Sequence, residues 1–382
     1  MRDIVYLDNS ATTKIYESSY ETMIPYYNYL YGNPSAAYKF SINIKSKLEN
    51  TRKIIAETLG VDKSEIFFTS GGTEANNWAL KGICELLKNK GKHIITSKIE
   101  HKAIINTCKY LENKGFSVTY LNVDKYGNID LNELESEIRN DTILVSIMYA
   151  NNEVGTIMPI DEIAKITEKY NIVFHTDAVQ AYGHININLK DKKVDMLSAS
   201  SHKFHGPKGI GFLYVRKGIN LPSFIHGGSQ ENGLRGGTEN VPAIVGMGTS
   251  AKEINGKLNE NIKNITYLRD YTIKKILSEI PNVILTGDIK KRLPNNVSFC
   301  ILNIDSIVLI NQLSKYNICI SSGSACNTNS IYPSHVLLAL GYSKEIAKGA
   351  IRISLSEFTT KKEIDYAVDK IKDIVNELRE WM

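Results

Sequence analysis

The chain has 382 residues, of which 42% are hydrophobic and 23% are charged, and its 46 basic and 41 acidic side chains leave a formal net charge of +5. These proportions are those of a globular protein, so collagen-like, disordered and repeat-polymer classes are excluded. At roughly 150 residues per domain, the length predicts two or three domains, or one large domain with a smaller companion. The positive charge is spread along the chain, so we expect no nucleic-acid or membrane-surface patch.

The cysteines and the first residues indicate a cellular compartment. The five cysteines are odd in number and form no CxxC pair, which predicts neither a disulfide framework nor a zinc site, and favours a reducing compartment. The opening MRDIVYLDNS lacks the apolar run of a signal peptide, and no apolar stretch of about 18 residues occurs. We therefore expect a cytoplasmic protein without a membrane span.

The first half of the chain alternates short apolar runs with helical patterns. The runs are rich in β-branched and aromatic residues and lie at 65–70, 93–97, 117–123, 142–150, 172–178, 194–200 and 209–215. Their nearly continuous hydrophobicity predicts strands that are buried on both faces, in a seven-stranded, mostly parallel sheet covered by helices. Cys84 and Cys108 lie at helical spacing with apolar residues, so we expect both to be buried.

The pattern changes after residue 215. A glycine-rich loop (226–240) precedes a long helical stretch that runs to about residue 279 without a linker. Further strands are predicted at 297–304, 318–322 and 351–356, and further helices at 305–316, 333–340 and 361–380. We interpret this part as a smaller α+β domain joined to the α/β domain by a continuous helix, with Cys300 and Cys319 as packing residues.

Three segments of the α/β part contain candidate binding or catalytic residues. Gly72 and Thr73 follow the strand at 65–70 and open a helix, where free N–H groups attract an anion such as phosphate, although a plain turn capped by Thr73 is about as well supported. Asp177 ends a buried strand, at the edge where α/β sheets bind ligands, although it is equally typical of a turn cap. Lys203 lies in a loop between two buried strands, where partial desolvation suits a Schiff-base lysine. Together they supply what pyridoxal phosphate needs: an imine lysine, a carboxylate for the pyridinium nitrogen and a phosphate cradle.

Cys326 lies in a segment of small and polar residues, SSGSACNTNS. Such a segment is typical of a loop that presents a thiol, and an incidental exposed cysteine is the alternative. A thiol protease pairing Cys326 with His335 or His205 is disfavoured, because it leaves the lysine and the phosphate turn unexplained.

Ten motifs extend this set in chain order: LDNSATT (7–13), GNPSAAY (32–38), SGGTEANN (70–77), Glu100-His101, NNEVG (151–155), HTDAVQ (175–180), SSHKFHGPKG (200–209), RGGTENV (235–241), SSGSAC (321–326) and RISL (352–355). In this order they resemble the cysteine desulfurases of the NifS and IscS type, which are fold-type I pyridoxal-phosphate enzymes of the class V aminotransferase family. The resemblance extends from about residue 5 to residue 375.

The resemblance implies roles around the cofactor ring. Lys203 would form the Schiff base, Asp177 would pair with the pyridinium nitrogen, and Gln180 would donate to the ring oxygen. His101 would stack on the ring and assist proton transfer. Asn152 would contact the substrate or the ring oxygen.

The resemblance also implies the remaining contacts. Residues expected to hold the phosphate are Gly72, Thr73, Ser200 and His202, together with Thr238 of a second subunit. Arg352 would bind the substrate carboxylate, for which a planar bidentate group is suited. Cys326 would take the sulfur.

The implied reaction converts L-cysteine into L-alanine and leaves a persulfide on Cys326. A homodimer is implied, together with an acceptor protein of iron–sulfur cluster assembly or of tRNA or cofactor thiolation, and no direct contact with nucleic acid. The expected domains are a large one over 15–260 that binds the cofactor and a small one over 261–382, joined by residues 1–14, that carries Cys326.

Three rival interpretations remain open. One is an aminotransferase or lyase of the same fold in which Cys326 is incidental, and a narrower one is a selenocysteine lyase. The third is a scaffold without catalysis for sulfur-transfer partners, which the presence of Lys203, Asp177 and Arg352 disfavours.

Overall fold

The computed structural model describes residues 4–322 and 333–380. Cys326 and the loop predicted around it lie outside the described residues. Twelve strands are described: β1 (Val5–Tyr6), β2 (Ile66–Thr69), β3 (His93–Ser97), β4 (Ser117–Leu121), β5 (Thr142–Ser146), β6 (Val173–Asp177), β7 (Met196–Ser200), β8 (Gly211–Val215), β9 (Val283–Leu285), β10 (Asn296–Ile301), β11 (Ile318–Cys319) and β12 (Ala350–Ser354).

Twelve α-helices are described in the same residues: α1 (Glu17–Met23), α2 (Pro25–Asn28), α3 (Lys39–Leu59), α4 (Gly72–Leu87), α5 (Lys102–Glu112), α6 (Leu131–Ser136), α7 (Ile160–Lys169), α8 (Val241–Glu279), α9 (Ser306–Ser314), α10 (His335–Ala339), α11 (Lys344–Lys348) and α12 (Lys361–Glu380). None of them combines the length and apolar character that crossing a membrane requires, as far as the described residues extend.

The predicted seven-stranded, mostly parallel sheet is confirmed. Its strand order is β2-β8-β7-β6-β5-β3-β4, and β8 runs antiparallel to the other six strands. The predicted run at 142–150 is longer than β5, which ends at Ser146. Beyond that point the N–H of Met148 donates to the side chain of Glu100 rather than to a carbonyl oxygen of a neighbouring strand.

Helices cover both faces of this sheet. On one face, Ile94 and Leu213 pack with Trp78 of α4 and other apolar residues of α4 and α5. On the opposite face, Ile95 packs in a core that includes Ile55 of α3 and residues of α7 and α8. Neighbouring residues of one strand thus enter different cores, because strand side chains alternate in direction, and both are apolar because both faces are dry.

The C-terminal part forms a smaller α+β unit, as predicted. Its antiparallel sheet has the order β12-β10-β9, and β1 pairs with β11 in a separate parallel ladder. Its core includes residues of α9 and α12 and also Val5 and Leu7 from the N-terminus. Helix α8 is continuous and joins the two units, since Met247 packs against the large sheet and Ile273 packs in the smaller core. The domain limits at residue 260 remain a prediction.

Four cysteines lie in the described residues and match their predicted role in packing. Cys84, Cys108 and Cys300 are buried, and Cys319 is partly buried. Burial raises the pKa of Cys84 and of Cys300 to about 12. The thiols of Cys84 and Cys300 are therefore held in their protonated form, which is a poor nucleophile.

A buried histidine at the centre of the sheet predicts that the folded protein loses stability in acid. His175 is fully buried on β6, bonded to the hydroxyl groups of Ser146 at 2.9 Å and Ser198 at 3.0 Å, and burial lowers its pKa to about 3 from an ordinary 6.5. Between these values the unfolded chain binds a proton that the folded chain does not, so the free energy of unfolding falls as pH falls, by up to about 1.4 kcal/mol per pH unit. We expect H175Q to show a shallower decline than the wild type in denaturant titrations from pH 6.5 to pH 4.

The exposed His226 provides the control. H226Q should follow the wild-type dependence on pH. A slope for H175Q as steep as that of the wild type would contradict the assignment.

Candidate active site

A cavity of about 400 Å³ lies at one edge of the large sheet. Strands β2, β6 and β7 end there, and the segments that follow β3 and β5 form further walls. Because these strands are parallel, their carboxyl ends meet at one edge, which is where open α/β sheets bind ligands. The cavity is therefore the candidate active site.

The cavity collects the predicted site residues from distant parts of the chain. Those that line it are Gly72, Thr73, His101, Asn152, Asp177, Gln180, Ser200, His202, Lys203 and Arg352. Thr238 does not line it and is exposed in the loop before α8. Cys326 lies outside the described residues.

Lys203 projects from a short 3₁₀ turn, Ser201–Lys203, that follows β7. Its Nζ donates to the carbonyl oxygens of Ser10 and Ala11, both at 2.7 Å. Nε2 of the buried His184 donates to the carbonyl oxygen of Lys203 itself at 3.0 Å. Both ends of the lysine are thus held by hydrogen bonds.

Asp177 ends β6 and is buried at 6% exposure. One carboxylate oxygen accepts from Nδ2 of Asn76 at 2.6 Å, and the other accepts from the N–H of Val179 at 3.0 Å. Nε2 of Gln180 donates to the carbonyl oxygen of Ser10 at 2.9 Å. Ser10 thereby connects Gln180 with Lys203.

The start of α4 forms the narrow wall of the cavity. A Cβ atom on Gly72 would lie 2.5 Å from Cγ2 of Val179, which also lines the cavity, and Gly71 has a φ of +150°. Glycine is therefore required for the close approach of this helix start to the β6 end. The first N–H groups of a helix of this length attract anions.

Ser200 lies beside that helix start, and His202 lines the same cavity. Burial, together with the charges of Lys203 and Lys208, lowers the pKa of His202 to about 4. The ring is therefore neutral at neutral pH, and its Nδ1 shares a hydrogen bond of 3.2 Å with the hydroxyl group of Thr12. A neutral imidazole can donate one hydrogen bond to an anion without adding charge.

Arg352 enters the cavity from β12 of the smaller unit, and its side chain is 2% exposed. Nη2 pairs with the carboxylate of Asp8 at 2.8 Å, and Nη1 donates to the carbonyl oxygen of Asn152 at 2.9 Å. These bonds fix the plane of a buried cation at the cavity wall.

Sequence reasoning assigned no role to several groups that complete the site. Asp8, Ser10 and Ala11 belong to the LDNSATT motif, and Asn76 belongs to SGGTEANN. Their position inside these two motifs was the only sign in the sequence that they belong to the site. The partners of these residues are defined only when distant segments meet.

The groups of this cavity fit pyridoxal phosphate. The ligand needs an amine for its aldehyde, a carboxylate for its ring nitrogen, polar contacts for its ring oxygen and a cradle for its phosphate. Lys203, Asp177 and the start of α4 match the first, second and fourth of these. Two buried oxygens, Oε1 of Gln180 and Oδ1 of Asn76, have no hydrogen-bond partner among the described residues, which is typical of a wall that meets a polar ligand.

The comparisons with known proteins agree with this class of site. The family model described as Aminotransferase class-V matches residues 5–367. A NifS-like protein of known structure superposes with a TM-score of 0.93 at 43% identity and covers 98% of this chain and 100% of its own. A NifS-like protein from Rickettsia africae superposes with a TM-score of 0.88 at 35% identity, again with 98% and 100% coverage. The fold and the site are thus those of a class V aminotransferase, a class that depends on pyridoxal phosphate.

Relatives of similar sequence identify the family within this class. A protein named cysteine desulfurase IscS from Dictyoglomus turgidum is 46% identical over 379 residues, which are 99% of this chain and 96% of the relative. Another of that name, from Methanosarcina thermophila, is 48% identical over 375 residues, or 98% of this chain and 93% of the relative. The chain belongs to the cysteine desulfurase family of the class V aminotransferases.

The glycine at the start of α4 makes a prediction about cofactor loading. In G72A the added methyl group collides with Val179 at the cavity wall, so we expect the dissociation constant for pyridoxal phosphate to rise at least about tenfold. The measurement is a titration of the visible absorbance of the lysine-bound cofactor. G256A in α8 is the matched control, since nothing lies within 4 Å of its added Cβ. Equal affinities in the two variants would show that the close approach does not matter.

Proposed function

We propose that this protein is a pyridoxal-phosphate-dependent cysteine desulfurase. It converts L-cysteine into L-alanine and leaves a persulfide on Cys326. The observation that carries the proposal is the convergence of Lys203, Asp177 and Arg352 on one cavity, at the start of α4. The relatives named as cysteine desulfurases over nearly the whole chain support the substrate.

Lys203 and Asp177 are the proposed centre of the chemistry. When bound, pyridoxal phosphate supplies an electron sink that lets an amino acid lose its Cα proton. Lys203 would hold the cofactor through its aldehyde, and the amine of Lys203 would be the group that moves that proton. Asp177 keeps a negative charge next to the ring nitrogen, with its orientation set by Asn76 and Val179.

The proposed binding residues divide between the cofactor and the substrate. The phosphate is held by the N–H groups of Gly72 and Thr73 and by the side chains of Ser200 and His202. One hydrogen of the Gln180 amide nitrogen is donated to Ser10, and its second hydrogen would be donated to the ring oxygen. Arg352, oriented by Asp8, binds the substrate carboxylate, with Asn152 beside it. His101, which lines the same cavity, would stack on the ring and assist proton transfer.

Cys326 is the proposed nucleophile for sulfur. Its thiolate attacks the sulfur of the substrate, a sulfur–sulfur bond forms, and the carbon–sulfur bond breaks with its electron pair left on carbon. That carbon takes up a proton, so L-cysteine and one enzyme thiol become L-alanine and one enzyme persulfide.

Replacement of Cys326 tests the proposal. We expect C326S to lose the formation of sulfide and alanine from cysteine while it retains the cofactor absorbance, because the lysine and the cradle are intact. C319S is the control, since Cys319 lies partly buried in β11 and should retain turnover. Undiminished turnover in C326S would favour an aminotransferase or lyase in which this thiol is incidental. A faster reaction with selenocysteine than with cysteine in the wild type would favour a selenocysteine lyase.

We also propose that the enzyme is a homodimer. Residues 20–42 expose several large apolar side chains, among them Tyr29 and Tyr31 at 74% each. Such a patch favours an interface, because burying aromatic rings is a main source of association energy. Thr238 is exposed on its own subunit and is proposed to reach the phosphate site of the second copy.

Charge placed in this patch tests the dimer. We expect the double variant Y29D/Y31D to sediment as a monomer at concentrations where the wild type is a dimer, and to lose affinity for the cofactor. Y267D is the control, because Tyr267 in α8 is 62% exposed and lies outside residues 20–42. A Y29D/Y31D protein that remains dimeric would place the interface elsewhere.

The sulfur is proposed to pass to an acceptor protein of iron–sulfur cluster assembly or of tRNA or cofactor thiolation, in the cytoplasm. Loading Cys326 with radiolabelled sulfur and following the label identifies the protein that receives it.

A further inference from the structure

A buried carboxyl group that the proposed mechanism does not use lies directly before His101. Glu100 is 0% exposed. Its Oε1 accepts from the hydroxyl group of Ser97 at 2.7 Å, and both carboxyl oxygens accept from the N–H of Met148, at 3.0 and 3.1 Å. The side chain therefore joins the end of β3 to the segment that follows β5.

The main chain of Glu100 also forms a hydrogen bond to the cavity wall. Its carbonyl oxygen accepts from Nε2 of His335, the first residue of α10, at 3.0 Å. The next residue, His101, caps α5 by accepting the N–H of Ala103 on Nδ1 at 3.1 Å, so Nε2 is the ring nitrogen that can carry a proton. Glu100 thus contacts or precedes three residues of the cavity wall: His101, Met148 and His335.

The electrostatic surroundings of Glu100 favour its neutral form. Burial raises its pKa to about 8; the hydrogen bonds from Ser97 and Met148 oppose the shift, and the charge of Asp177 adds to it. The other titratable groups nearby are the imidazoles of His101 and His335 and the thiol of Cys108, whose own pKa is raised by burial and by Glu100. Ionisation of Glu100 would therefore place a second negative charge near Asp177.

We propose that Glu100 is a positioning residue for proton transfer in this cavity: its buried side chain, bonded to Ser97 and Met148, fixes the main chain that bonds His335 and leads into His101. The proposal rests on the proposed function, because it assigns proton transfer to His101. Errors of about 1 Å in such positioning cost on the order of 100-fold in rate. A contribution to folding alone is the competing explanation, and the two differ in what E100A and E100Q do.

The two substitutions separate positioning from charge. E100A removes both links of the side chain. E100Q retains an acceptor for Ser97 and Met148 and resembles the protonated carboxyl group, but it does not titrate. D195N is the matched control, since Asp195 is a buried carboxyl group that accepts the N–H of Phe174 at 2.9 Å and has a raised pKa. Asp195 precedes β7, at the opposite end of that strand from Ser200.

Unfolding of the full chain without cofactor tests the buried titration. The folded pKa of Glu100 is raised above its ordinary 4.5, so its contribution to stability is complete below pH 4.5 and is lost as pH rises towards 8. We expect the melting temperature of E100Q to rise relative to the wild type between pH 5 and pH 8. A difference that does not change with pH would overturn the assignment of a neutral Glu100.

Turnover of the loaded enzyme tests positioning. We expect E100A to lower kcat about 10- to 100-fold with KM for cysteine changed less than about threefold, and E100Q to restore kcat to within about threefold at pH 7. Above pH 8 we expect kcat to fall in the wild type and to remain higher in E100Q, since only the wild type acquires the second charge. D195N should keep the wild-type kcat and pH profile.

Two results would overturn the proposal. One is a wild-type kcat in E100A, and the other is a pH profile of E100Q that coincides with that of the wild type. The absorbance of the bound cofactor against pH, recorded without cysteine, should also differ between E100Q and the wild type. That spectrum involves no sulfur chemistry, so failure of the cysteine desulfurase proposal, recognised by full turnover in C326S, is distinguishable from failure of this one.

Discussion

A short N-terminal segment, residues 8–11, holds the cavity together. The carbonyl oxygen of Ser10 accepts from both Lys203 and Gln180, which lie on the edge of the large sheet. Asp8 pairs with Arg352 of the smaller sheet, and the N–H of Ser10 donates to the hydroxyl group of Ser354 at 2.8 Å. The buried Arg352 and the partly buried Lys203 thus receive their partners from one segment, and a buried charge without such a partner is strongly destabilising.

Burial shifts the pKa of two groups in the cavity towards their neutral forms, while other groups there have direct partners. Glu100 and His202 are withdrawn from water, and the pKa of each shifts towards its neutral form. Three other groups of the cavity have direct partners instead: Lys203 bonds carbonyl oxygens, Asp177 accepts from N–H donors, and Arg352 pairs with Asp8. The cavity can therefore hold a ligand with several charges while few of its own buried charges lack a partner.

The sheet and part of the candidate site, namely Gly72, Thr73, Asp177 and Lys203, were predictable from local patterns. The other site residues were implied only by the resemblance to the cysteine desulfurases. A strand buried on two faces must be apolar throughout, so the runs at 93–97 and 172–178 could be recognised without their neighbours. Polar residues such as Asp177 stand out where such a run ends. For Asn76 and Glu100 the sequence predicted no individual role. The role of a buried polar side chain depends on its hydrogen-bond partner, and the partners of these two are distant in the chain. The domain limits, the residue roles and the surroundings of Cys326 remain predictions.

The amino-acid sequence by itself determined the seven strands of the large sheet, their burial, the packing role of Cys84, Cys108 and Cys300, and two strand-end features of the candidate site, the Gly72–Thr73 turn and Asp177. These follow from the periodicity and polarity of neighbouring residues. Only the tertiary structure decided which groups meet. Asp8 and Arg352 are 344 residues apart and bond at 2.8 Å, and Lys203 reaches carbonyl groups near the N-terminus. Such pairs depend on how two hydrophobic cores pack together, and no local pattern encodes that.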